Sequence, residues 1–486
     1  MSQLPLQPPD TPPLPWIEVA KDVPYFVTEW GEPWTPVGQN DAVTWVDLAG
    51  LFLRKNITGV DEYLAMLKRH GVMVLRLMLE CAHKRHRYLE RPVGRFVPAM
   101  VRLWDDLFAL CERHELRLLL TPYDTFWTRM RWRHHPLNKL NGGTCAKPNQ
   151  LLLCPQTRRA IKNRLTFAVE RWGGSGTIFA WDLWNEIHPA HAGDRSDCVD
   201  IFNEFIHELS DHVRTLELRL YGRAHPHTVS LFGPELHLRP HLALAEPIFR
   251  HPSLDFATTH IYQKGTIDDP RDTIAPAIDT GRLVRHALGE IRDLRPFLDT
   301  ERGPIHRFKD KKETMPEAFD DEYFRHMQWA HLASGGAGGG MRWPNRHPHQ
   351  LTAGMRRAQR ALAGFLPLVD WSRFRRRNLN QEIETSSTSF ARFACGDSEQ
   401  AIVWLLRTNS LERSGMMGGS APPEIVTVRI PGLRPGSYAV TAWDTKAGEE
   451  AAKFTIEHTG GGELKLDTPP AATDVAFALR RAGGNT

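Results

Sequence analysis

Cysteine is scarce in this chain. The six cysteines among 486 residues, Cys81, Cys111, Cys145, Cys154, Cys198 and Cys395, include no Cys-x-x-Cys pair. That excludes a disulfide framework and the usual zinc spacings. Only Cys145 and Cys154 lie close in sequence, on a Gly/Pro/Asn loop, and they read as two free thiols rather than a local disulfide. Long apolar runs are also missing. No stretch reaches the roughly eighteen residues that a membrane-spanning helix needs. The opening "MSQLPLQPPDTPPLP" is proline-rich and lacks the apolar centre of a signal peptide, so a cytoplasmic location is expected. A strong charge of one sign is absent too. The formal net charge is +4, and runs such as Arg375-Arg376-Arg377 read as solvated faces, so neither a nucleic-acid nor a membrane partner is expected. Two catalytic signatures are missing as well. "SGGAGGG" (334–340) lacks the GK[ST] of a phosphate loop, and no Gly-x-Ser-x-Gly elbow occurs. His225-x-His227, His347-x-His349 and His134-His135 have no carboxylates at metal-site spacing, so no metal is expected. "NIT" (56–58) matches a glycosylation acceptor that matters only in a secreted protein.

What is present is a regular alternation. From about residue 20 to 368, short apolar runs alternate with longer amphipathic segments. "GVMVLRLML" (71–79), "LRLLLTPYD" (116–124), "TIFAWDLWNE" (177–186), "HTVSLFG" (227–233), "RPFLDTE" (295–301) and "GGGMRW" (338–343) each follow a helical pattern, and "LDFATTHIY" (254–262) is a further run in the series. An opening strand near "YFVTEW" or "WTPVGQN" completes eight strand–helix units. Strands separated by helices imply a parallel sheet, and eight units over this length predict a (β/α)8 TIM barrel. After about residue 370, short strand patterns such as "IVWLL", "SYAVTAWD" and "VAFAL" alternate with turn residues. They predict a small antiparallel β-sandwich. The expected layout is a proline-rich extension (1–19), a catalytic barrel (20–368) and a C-terminal sandwich (369–486). Trp404 and Trp443 read as sandwich core.

Barrel active sites lie at the C-terminal strand ends. Here those ends carry Arg76, Asp124, Asn185-Glu186, His260 and Tyr262, Glu301 and Trp343. A carboxylate closing a buried apolar strand such as "WDLWNE" is costly unless chemistry needs it. "WNE" ending strand four and "TERG" ending strand seven resemble the acid/base and nucleophile signatures of glycoside hydrolase clan A, the cellulase-like family 5 being nearest. The resemblance spans the barrel and includes Arg76, His260, Tyr262 and Trp343. Two places depart from it: Arg302 follows the nucleophile, and strand three ends in "PYDTFW" where the family pattern has a histidine.

The resemblance implies a retaining β-glycosidase with no cofactor, acting on a gluco- or manno-configured carbohydrate. Such enzymes set two carboxyl groups about 5–5.5 Å apart, one attacking the anomeric carbon and one protonating the leaving oxygen. Glu301 would be the nucleophile, with Arg76 and Tyr262 donating to it. Glu186 would be the acid/base, its pKa raised by burial and by Glu301. Asn185 would donate to the sugar 2-hydroxyl, and His260 would hold either Glu186 or a sugar hydroxyl. Trp343 offers a platform for the sugar ring, with Trp34 and Trp127 as further candidates. A non-catalytic carbohydrate-binding barrel is disfavoured because both carboxylates are present, whereas a transglycosylase would use the same pair. Loops 125–156 and 262–276 would decide exo or endo action.

Overall fold

The computed structural model describes residues 13–80, 88–262, 270–304, 314–419 and 421–482. Eight parallel strands form one sheet: Gly38–Asn40, Val74–Met78, Arg117–Thr121, Ile178–Asp182, His227–Thr228, His260–Ile261, Glu301–Arg302 and Met341–Arg342. They are strands one to eight below. Strand eight pairs with strand one, and the remaining seam between strands five and six is closed by a bridge from Phe232 to His260. The sheet is therefore a closed barrel. Strand one comes from "WTPVGQN". "YFVTEW" instead supplies the middle strand, Phe26–Thr28, of a small antiparallel sheet with Ile17–Val19 and Pro33–Trp34.

That small sheet plugs the barrel floor. Phe26 and Trp34 meet Phe179 at ring-centroid distances of 4.9 and 4.6 Å, and Phe26 also meets Phe256 at 5.3 Å. Above this apolar floor the barrel interior turns polar, through Thr228, Thr258 and Thr300, and then charged at the mouth. Fully buried strands account for the continuous apolar runs in the sequence. Two glycines are required by close approach: a Cβ on Gly38 would sit 2.6 Å from Val74 Cγ1, and one on Gly338 would collide with the Pro36 carbonyl. The glycine run before strand eight is thus a packing device. Asn56 of "NIT" caps the first barrel helix, Ile57–Arg69, by accepting from the Gly59 N–H at 3.0 Å.

The C-terminal region is a sandwich of a six-stranded and a three-stranded antiparallel sheet. Its inner core includes Ile383, Val403, Val428, Tyr438 and Phe477, all buried. Trp404 and Trp443 lie elsewhere. They face the barrel, sharing a core with Trp329 and Phe365 of the last two barrel helices, Glu317–Ala333 and Ala353–Phe365. A buried ion pair, Arg325 to Asp474 at 2.8 Å, crosses the same boundary. The arginine-rich junction is not merely solvated. Arg376 donates to the Gly335 carbonyl at 2.7 Å, and Trp371 packs edge-on against Tyr25 at 4.7 Å.

Cutting the chain near residue 370 would expose this shared core. Each large apolar side chain returned to water costs ~1.5–3 kcal/mol, against a typical domain stability of ~5–15 kcal/mol. The truncated chain is expected to be insoluble or to melt well below the full chain, while any soluble fraction keeps some turnover. A soluble truncation with an unchanged melting temperature would refute the supporting role. A well-folded but inactive one would place part of the site in the sandwich.

Candidate active site

Arg76, on strand two, organises the mouth. Its guanidinium is buried and donates to Asp182 Oδ2 at 2.7 Å, Glu301 Oε2 at 2.9 Å and Asn40 Oδ1 at 2.9 Å. It also donates to Asn185 Oδ1. Burial opposes the charge, yet Asp182 and Glu301 hold the arginine above its usual pKa. An Arg–carboxylate cluster of this kind fixes geometry because each donor direction is spoken for.

Glu301 opens strand seven and also accepts from the Tyr262 hydroxyl at 2.7 Å. Burial pushes its carboxyl above the ordinary range and the Glu186 charge adds to this, while His260, Arg76 and Tyr262 pull it back. Asp299, two residues earlier, accepts from the Ile261 and Glu301 N–H groups at 3.2 and 3.3 Å and so ties strand six to strand seven. Burial lifts Asp299 to about 8.

Glu186 stands just beyond strand four with φ at 51°, a left-handed conformation unusual for a residue with a side chain. The Ser230 hydroxyl accepts its N–H at 3.0 Å, and the Ser230 carbonyl accepts that of Ile187 at 2.9 Å. Ser230 is in turn held by Asp182, which accepts both its N–H and its hydroxyl at 3.0 Å. Asp182 therefore supports both carboxylates, one through Arg76 and one through Ser230. Burial lifts the Glu186 carboxyl to about 7, with Arg76 opposing.

His260 settles beside Glu186, with Nδ1 at 2.7 Å from Glu186 Oε1 and 3.8 Å from Glu301 Oε2. Burial lowers its pKa to about 4, so the ring is neutral near pH 7. One oxygen from each glutamate and one His260 nitrogen all lie within 4.8 Å of one another. Among the described residues this is also the only grouping with three candidate metal donors. The Arg76 guanidinium already supplies a positive charge to it. His225 and His227 hold Glu217 and Ser210, each at 2.8 Å, and are structural.

Asp124 lies at the end of strand three, buried and lifted to about 8 by that burial. It accepts from the Asn185 amide and from the Trp127 N–H. Asn185 is thereby clamped between Arg76 and Asp124, leaving its second amide hydrogen for another acceptor. Trp343, half-buried, sits edge-on to Trp45 at 4.8 Å, and Trp45 stacks on His349 at 4.8 Å. Trp127 is half-buried on the helix Thr125–Met130, beside Phe126. Trp34 is the exception among the residues read from the sequence. It is buried in the floor, with the Arg117 guanidinium 5.7 Å from its ring centroid, at the opposite end of the barrel. Asn40, Trp45, Asp182, Asp299 and Ser230 were missed by sequence reasoning. Only Asp182 had a visible signal, a lone carboxylate inside the apolar run "FAWDLW". Cys145 and Cys154 are free thiols.

Comparison with known proteins now bears on this geometry. No family model matches the sequence. No curated protein matches it either. Solved structures do. One titled simply a glycoside hydrolase aligns over 96% of this chain and 97% of its own, with a TM-score of 0.57 at 11% identity. A family 5 glycoside hydrolase from Bacteroides vulgatus aligns over 96% of this chain and 93% of its own, with a TM-score of 0.55 at 11% identity. An endo-β-1,4-mannanase from Thermotoga petrophila aligns over 90% and 91%, with a TM-score of 0.50 at 14% identity. The fold is that of the family 5 glycoside hydrolases. Identities this low carry the fold alone, and both barrel and sandwich are included in the first two alignments. No helix among the described residues is long and apolar enough to cross a membrane.

Proposed function

We propose that this protein is a retaining β-glycoside hydrolase acting on a gluco- or manno-configured glycan, with Glu301 as nucleophile and Glu186 as acid/base. The observation that carries the reading is the approach of the two carboxylates to within 4.8 Å across the barrel mouth. That spacing suits direct attack on the anomeric carbon, whereas inverting enzymes separate the pair by about 6.5–9.5 Å to admit a water. Their environments divide the roles. Near neutral pH Glu301 has two partners that favour its charged form, the Arg76 guanidinium and the Tyr262 hydroxyl. Glu186 has a neutral histidine and a pKa near 7, which suits a proton donor at neutral pH. In the first step Glu301 would attack while Glu186 protonates the departing oxygen. In the second, ionised Glu186 would take a proton from water as the glycosyl–Glu301 bond breaks. Asn185, held by Arg76 and Asp124, is placed to donate to the 2-hydroxyl, a contact that strengthens at the transition state. The carboxylate pair completes the reaction without a metal.

The test is an assay on aryl β-glucosides and β-mannosides, followed by NMR of the first-formed anomer. Net retention is expected, and activity is expected to survive EDTA. Initial formation of the α-anomer would refute the double displacement. The pH profile supplies a second check. Activity requires protonated Glu186, so kcat/KM should fall as pH rises through about 7. It should also fall on the acid side as Glu301 gains a proton, at a pH above the ordinary carboxyl range. Retention of full kcat/KM well above pH 8 would contradict the acid role of Glu186.

A further inference from the structure

Most of the segment joining strand three to strand four carries charge of one sign only. From Thr125 to Val169 there is no aspartate or glutamate, in a chain that has 57 acidic residues among 486. Within its loop portion, 125–154, stand Arg129, Arg131, Arg133, Lys139 and Lys147, all exposed. None of the five has a carboxylate partner among the described residues. Some exposed arginines elsewhere do hold carboxylates, Arg171 with Asp105, Arg195 with Asp197 and Arg377 with Glu382. Glu80 and Glu90 do not serve these five cations, and the one loop side chain that Glu80 meets is His135, at 3.4 Å. Both glutamates are buried beneath the loop and held by Arg164 at 2.7 Å.

The loop is part of the mouth. Thr125 donates its N–H to the Asn185 carbonyl at 3.1 Å, and the Trp184 indole donates to Thr125 Oγ1 at 2.9 Å. Asp124, at the loop's start, grips the Asn185 amide. The first turn of the basic loop therefore adjoins Asn185, next to the residue read above as the acid/base. Arg129 lies within electrostatic range of His191, after strand four, and Arg131 within that of Tyr88, after strand two. Aromatic rings alternate with the cations in "FWTRMRWR", and Phe126 is 39% exposed. Rings that stack on sugars beside guanidiniums that fork onto carboxylates suit an acidic sugar better than a neutral one.

We infer that the leaving-group side of this site accepts an anionic sugar, a uronate or sugar sulfate, bound by Arg129, Arg131 and Arg133. This rests on the retaining-glycosidase reading above and adds the class of substrate to it. A nucleic acid would also meet arginines and aromatics, but it needs a longer positive surface than one loop at a catalytic mouth, in a chain of net charge +4.

The test compares matched disaccharides, β-mannosyl- and β-glucosyl-1,4 units carrying a neutral hexose, its uronate or its 6-sulfate as the leaving sugar. The expected result is a kcat/KM at least tenfold higher for the uronate or the sulfate, falling with added salt as exposed charge pairs are screened. Preference for one anion over the other identifies the source of the charge. In the triple variant Arg129→Ser/Arg131→Ser/Arg133→Ser the anionic-to-neutral ratio should collapse towards one, and the triple lysine variant, which keeps the charge but loses the fork, should keep only part of it. Equal kcat/KM for neutral and anionic leaving sugars would overturn the inference, as would a ratio untouched by the serine variant. If no β-glycoside of any kind is cleaved, the catalytic reading fails first. Binding of polymannuronate against neutral mannan then tests the loop alone, and competition by single-stranded DNA but not by polymannuronate counts against it.

Discussion

Replacing Glu301 with alanine should lower turnover by roughly four orders of magnitude or more on every β-glycoside, about 5.5 kcal/mol of barrier at ~1.36 kcal/mol per tenfold. The substitution removes the group that forms the covalent bond, so a better leaving group cannot compensate. The variant should still fold, because Arg76 keeps its 2.7 Å ion pair with Asp182 and is not left as an unpaired buried charge. KM should change far less than kcat, since the other partners of Arg76, Asn40 and Asn185, are untouched. Added azide would enter the space vacated by the carboxylate and attack from the same face, giving an α-glycosyl azide. A variant within tenfold of the parent enzyme would show that Glu301 is not the nucleophile, whatever its surroundings.

The architecture and the carboxylate pair were legible in the sequence for identifiable reasons. Strands two, three and four are buried on both faces and so read as largely apolar runs, and the polar residues within or just after the barrel runs mark the mouth. That rule found Arg76, Glu186, His260, Tyr262 and Glu301, which the structure brings together. It failed where local pattern does not encode which end of the barrel a segment reaches. Trp34 belongs to "PWTPV", a few residues before strand one, and aromatic character cannot distinguish a floor plug from a sugar platform. Ser230 and Asn40 were invisible for another reason. A small polar residue near the end of a strand carries no signal until the fold sets it against Glu186 or Arg76. Trp404 and Trp443 are buried, but not in the sandwich core where they were expected, because alternation along a strand shows that a face is buried and not what covers it. Here the cover is the barrel.

The pKa pattern connects these supports to the chemistry. Asp182 braces Arg76 against Glu301 and braces Ser230 against the Glu186 backbone, so one buried carboxylate fixes the distance between the two reacting ones. Asp124 and Asp299, both lifted to about 8, stay protonated near neutral pH. The mouth thereby avoids the repulsion of five ionised carboxyl groups. Protonated, Asp124 still anchors Asn185 and the start of the basic loop.

Glu186→Ala should behave differently from Glu301→Ala, and the difference assigns the roles. Substrates with poor leaving groups lose the proton they need and should slow by several orders of magnitude. An activated dinitrophenyl glycoside departs without protonation, so its first step should be largely spared. The second step then lacks a base to activate water, and a glycosyl-enzyme should accumulate, seen as a burst of phenol and as a mass adduct on the peptide containing Glu301. The basic limb near pH 7 should vanish from the kcat/KM profile of the activated substrate, because the group responsible for it is gone. Azide needs no base and should restore turnover, attacking the glycosyl–Glu301 bond from the opposite face to give a β-glycosyl azide. His260 loses its partner in this variant, but it is neutral and its loss of one hydrogen bond at 2.7 Å should cost only about 1 kcal/mol of stability. An α-azide from this variant, or equal damage to activated and unactivated substrates, would mean that Glu186 is not the acid/base.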